Sequence, residues 1–600
     1  MCGISGFNWE DKDLVRRMIK VLNHRGPDSN GLFVDRGVSF GHNRLSIIDL
    51  SSDGAQPMCN EEGDIWITFN GEIYNYLEIR SELVNLGHVF KSNTDTEVIV
   101  HGYEQWGVDV LSKLNGMFAF AIFDGRDKSL FLARDRLGIK PLHYYFSSGK
   151  FIFASEIKAI LECSEVERKV DLVSKNHYFT YGYTPTSRTM FDGIFKLEPG
   201  CFLVLKNDKL VCKKYWDFKY PAKATKFGFK KLRSRIREEL DLSVKRRMVS
   251  DVGVGAFLSG GVDSSAIVAS ATKYKKDLKT FSIGFDYKEF NEAKYAKIVA
   301  DKFGTDHYEK YFGAKDVLGL IDDLAYFYDD PLADYSVLPT YFVSKLARSH
   351  VTVCLGGDGG DESFGGYNWY WQNLVMRKQK VLPLALRRGV VKPVANLVSS
   401  KVNSHFLKKV SSFIEGERLS DSQRYARLRS FLSVNDLKKF GIDKGVFNVF
   451  DKYFVNKSVK NNMMESDLKY YMPGEILTKV DRASMAVSLE VRVPFLDHEF
   501  IEFTSKINSN LKVKGLETKS ILKKSLLGVL PKEILYRKKR GFGVPLKQYF
   551  RSGLKDYVSS ELDGFKMDSM IRDHVSKKKD YSHVMWSMLM YKKWKARWID

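Results

Sequence analysis

Several things are missing from this chain of 600 residues, and each absence removes a class of protein. No apolar run approaches the roughly 20 residues that cross a bilayer, which argues against a helical membrane protein. There are six cysteines, at positions 2, 59, 163, 201, 212 and 354. They are too sparse for a disulfide scaffold and show no paired metal-ligand spacing. The opening residues Met1 to Asn8 carry neither a basic stretch nor an apolar signal core. A reducing cytoplasm is the expected location. Acidic residues are in deficit: Lys and Arg number 95 against 73 Asp and Glu, a formal net charge of +22. Such an excess can signal a polyanionic partner. The basic residues are scattered, though, with local clusters at Lys230–Arg237, Lys245–Arg247, Arg537–Arg540 and Lys577–Lys579 and no aromatic-interleaved RNA signature. A solvated basic surface is the expected reading, and nucleic acid is not an expected partner.

The length implies two or more cores, and the stretch Leu258-Ser259-Gly260-Gly261-Val262-Asp263-Ser264-Ser265 organises one of them. A short β-prone run, Val252 to Leu258, precedes it, and a helix-favouring run, Ala266 to Ala271, follows. A strand, a Gly-Gly turn and a helix start aim backbone N–H groups and partial positive charge at one spot, which suits phosphate. Glycines let the backbone close on that phosphate, the serines donate hydrogen bonds, and Asp263 can hold magnesium. No Gly-Lys-Ser/Thr is present, so this is not a Walker loop. Ser-Gly-Gly-x-Asp-Ser resembles the PP-loop of enzymes that adenylate a carboxylate or similar group and release pyrophosphate. The plainer alternative is a glycine turn in an α/β domain.

At the other end, removal of Met1 would leave Cys2 with a free amine of pKa about 7.7–8.0 beside a thiol of about 8.5. One residue would then supply both nucleophile and base. Four further stretches follow in order: His24-Arg25-Gly26-Pro27-Asp28, Arg44-Leu45-Ser46-Ile47-Ile48-Asp49, Asn70-Gly71-Glu72-Ile73-Tyr74-Asn75 and Thr94-Asp95-Thr96-Glu97. With Met-Cys-Gly they resemble the glutaminase domain of class II glutamine amidotransferases, an N-terminal-nucleophile hydrolase fold. Asn70 and Gly71, after the strand-like run Ile65 to Phe69, can form an oxyanion hole. Arg44 can take the α-carboxylate of glutamine, and Asp95 its α-ammonium. The resemblance adds backbone contacts to glutamine around Ile47, Ile48 and Glu72. Taken singly, Asn70-Gly71 also reads as a hairpin turn and Arg44 as a surface ion pair.

Further along, Leu278 to Phe285 reads as a second parallel strand, and the PP-loop resemblance places Ile283 and Gly284 beside adenine. Strands alternating with helices imply a parallel sheet with its ligand at the strand C-termini. A second glycine loop follows the strand-like Val351 to Leu355: Gly356-Gly357-Asp358-Gly359-Gly360-Asp361-Glu362. Asp361 can share a magnesium ion with Asp263, and Gly357 belongs with the ATP-binding residues. The segments Ile476 to Ala486, Leu489 to Asp497 and Arg537 to Pro545 resemble the synthetase domain of bacterial glutamine-hydrolysing asparagine synthetases.

That resemblance spans most of the chain. It implies residues 2–205 as a glutaminase domain (an α+β sandwich), 206–226 as a linker, and 227–600 as an α/β PP-loop domain of ATP-pyrophosphatase type with a helical C-terminal region. It implies ATP and Mg2+, glutamine and a small carboxylate as ligands, and a homodimer as one assembly. Asp358 would lie beside the acyl-adenylate and the incoming ammonia, and Lys539 would stabilise charge on the transferring phosphate. Lys479, Arg482 and Arg492 are cationic candidates for an acidic substrate, with interior salt bridges as the other reading. Ammonia released at Cys2 would travel inside the protein to the adenylate. The expected acceptor is the β-carboxylate of aspartate; alternatives are a uronic acid of a surface polysaccharide or, from another class, a PP-loop protein that modifies tRNA. Two departures bear on the acceptor. Gly356 stands where the family usually has Ser, which would open space beside the loop, and Ser363 stands where an aliphatic residue is usual.

Overall fold

The computed structural model describes residues 2–600 apart from 222, 226–227, 288–290, 379–382, 384–385, 387–388, 391–392, 395–396, 398–418, 433–436, 438–440, 539–540, 542 and 566. In the first domain twelve strands form two antiparallel sheets: β1 (Gly3–Phe7), β2 (Ser29–Asp35), β3 (Val38–Arg44), β4 (Met58–Cys59), β5 (Ile65–Ile73), β6 (Gly116–Asp124), β7 (Ser129–Arg134), β8 (His143–Ser147), β9 (Lys150–Ala154), β10 (Ile194–Lys196), β11 (Cys201–Lys206) and β12 (Lys209–Lys214). One sheet runs β10-β8-β9-β1-β3-β2 and the other β12-β11-β7-β6-β5-β4. Ile4, Phe40, Ala119, Ala121 and Phe153 fill the space between them. Three helices cover the outer faces: α1 (Lys12–Leu22), α2 (Tyr76–Asn85) and α3 (Glu97–Trp106). Asp11 caps α1 by accepting from the N–H groups of Asp13 and Leu14, which satisfies donors a helix start leaves open. Leu14, Val15, Met18, Ile19 and Leu22 then recur at helical spacing on its buried face.

The period of two along β5 decides where its chemistry points. Ile65, Ile67, Phe69 and Ile73 pack with Ile79 and Leu83 of α2 and Val98 and Ile99 of α3. Asn70 therefore faces the opposite way, between the sheets, where β1 begins. Asn70 and Gly71 lie inside β5 rather than after it, paired with Ala119 and Phe118 of β6. β12 pairs along β11 and so occupies part of the stretch read as linker.

The second domain holds a five-stranded sheet, β15-β14-β13-β16-β17, built from β13 (Val254–Phe257), β14 (Lys279–Phe285), β15 (Asp306–Phe312), β16 (Val353–Leu355) and β17 (Glu490–Arg492). Every pairing is parallel. Around it lie α4 (Phe229–Arg246), α5 (Val262–Ala271), α6 (Ala293–Phe303), α7 (Val337–Arg348) and α8 (Leu477–Met485). Because β13 and β16 are neighbours, the glycine loops at their C-terminal ends meet. The C-terminal helix Ser582–Trp598 buries Trp586 and Trp594.

The domains join through buried charge. Arg25 is fully buried; its guanidinium donates to Glu156 Oε1 (2.7 Å) and to both oxygens of Asp481 on α8 (2.8 and 3.1 Å). Arg482 bridges Glu156 (2.8 Å) and Asp329 (2.9 Å). Arg492 holds Glu490 (2.5 Å) and, across the interface, Glu72 (3.3 Å). Arg482 and Arg492 thus take the interior salt-bridge reading, not a substrate contact. Taking one member out of such a set strands the opposing charge in low dielectric, which costs about 3–5 kcal/mol. Asp481→Asn is expected to lower the free energy of unfolding, read from chemical denaturation, by an amount of that order; an unchanged value would show that water reaches Arg25.

Candidate active site

The first site forms where β1 starts. The Cys2 backbone N–H donates to Asn70 Oδ1 at 3.0 Å, and Arg25 Nε donates to the Cys2 carbonyl at 3.1 Å. The side chain of Cys2 is buried. Burial pushes its thiol pKa up, while a backbone hydrogen bond at Leu45 and the Arg44 guanidinium pull it down. Asn70 Nδ2 is buried with no hydrogen-bond partner among the described residues. A buried donor left open beside Cys2 is the arrangement an oxyanion would satisfy. At Gly71 a Cβ would stand 2.1 Å from the Met117 carbonyl, so only glycine lets β5 and β6 pair here.

Around them the other predicted residues take defined places. Arg44 is buried, with Nη1 donating to Ser51 O (2.7 Å) and Nη2 to Asp49 O. Asp95 Oδ2 accepts from the Ile73 N–H (2.8 Å) and Oδ1 from the Thr94 hydroxyl (3.2 Å). Burial nevertheless pushes Asp95 up to about 6. Glu72, raised by burial and by Glu490, turns its carboxylate to Arg492. Ile47 and Ile48 pack into the core of the second domain, and the Ile47 carbonyl accepts from the Asp251 N–H at 3.0 Å.

The second site is a cavity of about 1050 Å³. Leu258, Ser259, Gly261, Asp263, Ser264, Ile283, Gly357, Asp358 and Asp361 line it; Gly260, Ser265 and Gly284 lie beside it without lining it. Ser264 Oγ accepts from the Ser259 N–H (3.2 Å) and Ser259 Oγ from the Gly261 N–H (3.3 Å), which holds the loop tight at the start of α5. A Cβ on Gly360 would sit 2.6 Å from Asp263 Oδ1, so the second loop owes its close approach to that glycine. Asp263 and Asp361 converge on the ammonium of Lys519, which is 2.6 Å from Asp361 Oδ1 and shorter still from Asp263. Burial opposes the charge of Lys519, and the two carboxylates outweigh it. Two carboxylates from two loops meeting on one positive charge, beside a phosphate-type turn, is a donor set that fits magnesium.

Lys519, absent from the sequence expectations, is therefore central. Two buried acids were missed as well: burial, aided by Asp361, pushes Glu362 up to about 8, and burial with Asp334 does the same to Glu475. Both line the cavity. Lys479 lines it too, bonded to Ser336 Oγ (3.0 Å) and paired with Asp334 (3.2 Å). Burial raises Asp358 while Lys479 opposes the rise. Lys539 lies outside the described residues.

Residues 235–596 match the asparagine synthase family model and residues 1–216 the glutamine amidotransferase domain. The chain belongs to the asparagine synthase family. It is 35% identical over 614 residues to asparagine synthetase (glutamine-hydrolyzing) 1 of Bacillus subtilis (strain 168), covering 99% of this chain and 96% of that one. It is 38% identical over 531 residues to a putative asparagine synthetase (glutamine-hydrolyzing) 2 of Methanocaldococcus jannaschii, covering 82% of this chain and all of that one. It is also 28% identical over 614 residues to a protein of Gibberella zeae named amidase chry2, covering 91% of this chain and 89% of that one. Membership makes this chain a two-domain, glutamine-hydrolysing carbon–nitrogen ligase. Gly71→Ala is expected to cut glutamine hydrolysis by about 10²-fold, because its Cβ would push β5 off the Met117 carbonyl and shift Asn70 beside Cys2 by about 1 Å, while ammonium-dependent activity stays within twofold of wild type; loss of both would mean the strand shift reaches the second domain.

Proposed function

We propose that this cytoplasmic enzyme converts aspartate to asparagine with ammonia drawn from glutamine. In the first half Cys2 attacks the glutamine amide. Arg44 holds the substrate carboxylate and Asp95 its ammonium, with the backbone around Ile47, Ile48 and Glu72 lining the pocket. The Asn70 amide and the Gly71 N–H stabilise the oxyanion. Ammonia leaves, and water releases glutamate from the thioester.

In the second half ATP lies against Leu258 to Ser265, with Ile283 and Gly284 beside the base and Gly357 close to the phosphates. The acceptor carboxylate attacks the α-phosphorus, pyrophosphate departs, and ammonia displaces AMP. Asp263 and Asp361 would hold Mg2+, which when bound neutralises charge on the departing pyrophosphate. Lys519 supplies a fixed positive charge at the same point. Asp358, which lines the same cavity, would accept a proton from ammonia. The observation that carries this reading is the meeting of Asp263, Asp361 and Lys519 inside one cavity at the ends of neighbouring parallel strands.

Aspartate is favoured over a sugar acid for two reasons. Lys479 offers a cation inside the cavity. The other reason corrects the expectation at Gly356: a Cβ there would lie 3.2 Å from both Asp358 Oδ2 and Val491 Cγ1, so the glycine opens no room for a larger acceptor. The direct test supplies glutamine, ATP and Mg2+ and compares AMP release with aspartate, with a nucleotide-linked uronic acid and with neither. Aspartate-dependent AMP is expected; a response to the uronic acid alone would overturn the acceptor and keep the amidotransferase. Cys2→Ala is expected to abolish the glutamine-dependent reaction and retain synthesis from ammonium salts.

The pocket also has a pH signature. Asp95 holds its proton up to about 6. Above that pH it is an anion and attracts the glutamine ammonium; below it the attraction is lost. KM for glutamine is therefore expected to rise about tenfold per pH unit below 6, and Asp95→Asn to flatten that rise at a uniformly high KM. A wild-type KM independent of pH between 5 and 7 would place the ammonium elsewhere.

A further inference from the structure

Outside both sites, three side chains bring ligand atoms close to one point, and a fourth reaches one of them. His101 and Glu104 lie on α3, His88 follows α2, and Glu61 sits in the turn between β4 and β5. His88, His101 and Glu104 each bring a ligand atom within 4.8 Å of the other two. His88 Nδ1 and His101 Nδ1 are both 3.6 Å from Glu104 Oε2, and Glu61 Oε2 is 3.6 Å from His101 Nδ1. These separations are too long for hydrogen bonds. They match the edge of a coordination tetrahedron, about 3.3–3.6 Å for bonds of about 2.0–2.2 Å.

The second atom of each group has its own neighbour. His88 Nε2 is 3.0 Å from Gln105 Oε1. His101 Nε2 faces Glu97 Oε1 at 3.5 Å. Asn60 Nδ2 donates to Glu104 Oε1 at 3.1 Å, and the Val89 N–H donates to Glu61 Oε1 at 3.2 Å. The Gln105 partner on His88 Nε2 places the proton there and leaves the His88 Nδ1 lone pair facing inward, as a ligating histidine requires. The independent sign is His101 itself: it is 1% exposed, and neither ring nitrogen has a hydrogen-bond partner among the described residues.

We infer that His88, His101 and Glu104 form a site for one four-coordinate divalent transition-metal ion of the zinc class, its fourth position open to water beside Glu61. Mixed imidazole and carboxylate ligands in a tetrahedral set suit zinc over magnesium, which wants octahedral oxygen. The ion ties α3 to the segment after α2. Glu97 also accepts from the Lys91 and Ser92 N–H groups, both at 2.8 Å. The site therefore braces, from behind, the loop that carries Asp95. A proton on His101 shared among the carboxylates is the competing arrangement.

The experiment uses tag-free full-length protein stripped with a chelator and titrated with Zn2+ in the presence of Mg2+. One Zn2+ per chain is expected, with a raised unfolding temperature. Co2+ in its place should give the spectrum of a four-coordinate nitrogen–oxygen site without thiolate charge transfer, which separates this site from Cys2. His88→Gln and Glu104→Gln, both at the partly exposed rim, should fold and weaken binding about tenfold or more; His101→Gln should abolish it. No stoichiometric Zn2+, affinity unchanged in the two rim variants, or a thiolate spectrum with Co2+ would each overturn the site.

Discussion

Arg25 is the residue on which both halves of the enzyme depend. Its Nε fixes the carbonyl of Cys2, the proposed nucleophile, and its remaining donors reach Glu156 in the same domain and Asp481 in the other. A guanidinium buried that completely is tolerable only while every partner stays in place. The strand that presents Cys2 and the helix that carries Asp481 are therefore positioned against each other. The same helix, α8, sends Lys479 into the ATP-type cavity half a turn before Asp481, and Arg482 extends the network to Glu156 and Asp329. Lys158 closes it, paired with Glu156 and 3.4 Å from Asp329. One helix thus faces the cavity on one side and the domain interface on the other.

Around each site, burial is used to hold acids close to neutrality. Asp95, Glu362 and Glu475 all lie above the ordinary carboxylate range, and in each case loss of solvent is the main cause. The opposite holds where cations are near, as at Asp334 beside Lys479, which is lowered despite its burial. Substrate charge entering either site meets groups whose protonation is set by their surroundings, and small changes in charge there carry large energies. That is also why Lys519 matters: it stands between two carboxylates that would otherwise repel across a narrow gap.

Much of this was legible in the sequence, and the reasons are local. The two glycine loops carry their chemistry within eight or so consecutive residues, after short β-prone runs, so the strand-turn-helix arrangement and most of the cavity lining could be read directly. β6 was equally plain from its apolar run, and β14 from its alternation of Phe281, Ile283 and Phe285 with small polar residues and glycine. Asn70 was singled out in the sequence, but its place inside β5 was not, because Asn-Gly imitates a hairpin turn and only the pairing with β6 overrides that. Lys519 left no signal: it lies 256 residues from Asp263, in a chain rich in lysine. Arg482 and Arg492 look the same in sequence whether they bind a substrate or a buried carboxylate, and only the interface decides. The histidine and glutamate cluster behind Asp95 is gathered from three elements and has no motif spacing at all.

The central claim is that Cys2 chemistry and the ATP-dependent cavity belong to one reaction path, joined through the buried interface at Arg25. The most direct measurement follows the nitrogen. The enzyme is given glutamine labelled with 15N in its amide, ATP, Mg2+ and aspartate, with unlabelled ammonium in solution, and the asparagine formed is analysed by mass. The account predicts amide nitrogen drawn predominantly from labelled glutamine even when ammonium is in excess. Product whose label merely mirrors the bulk ammonium would contradict it, since ammonia would then leave the first domain before reaching the second.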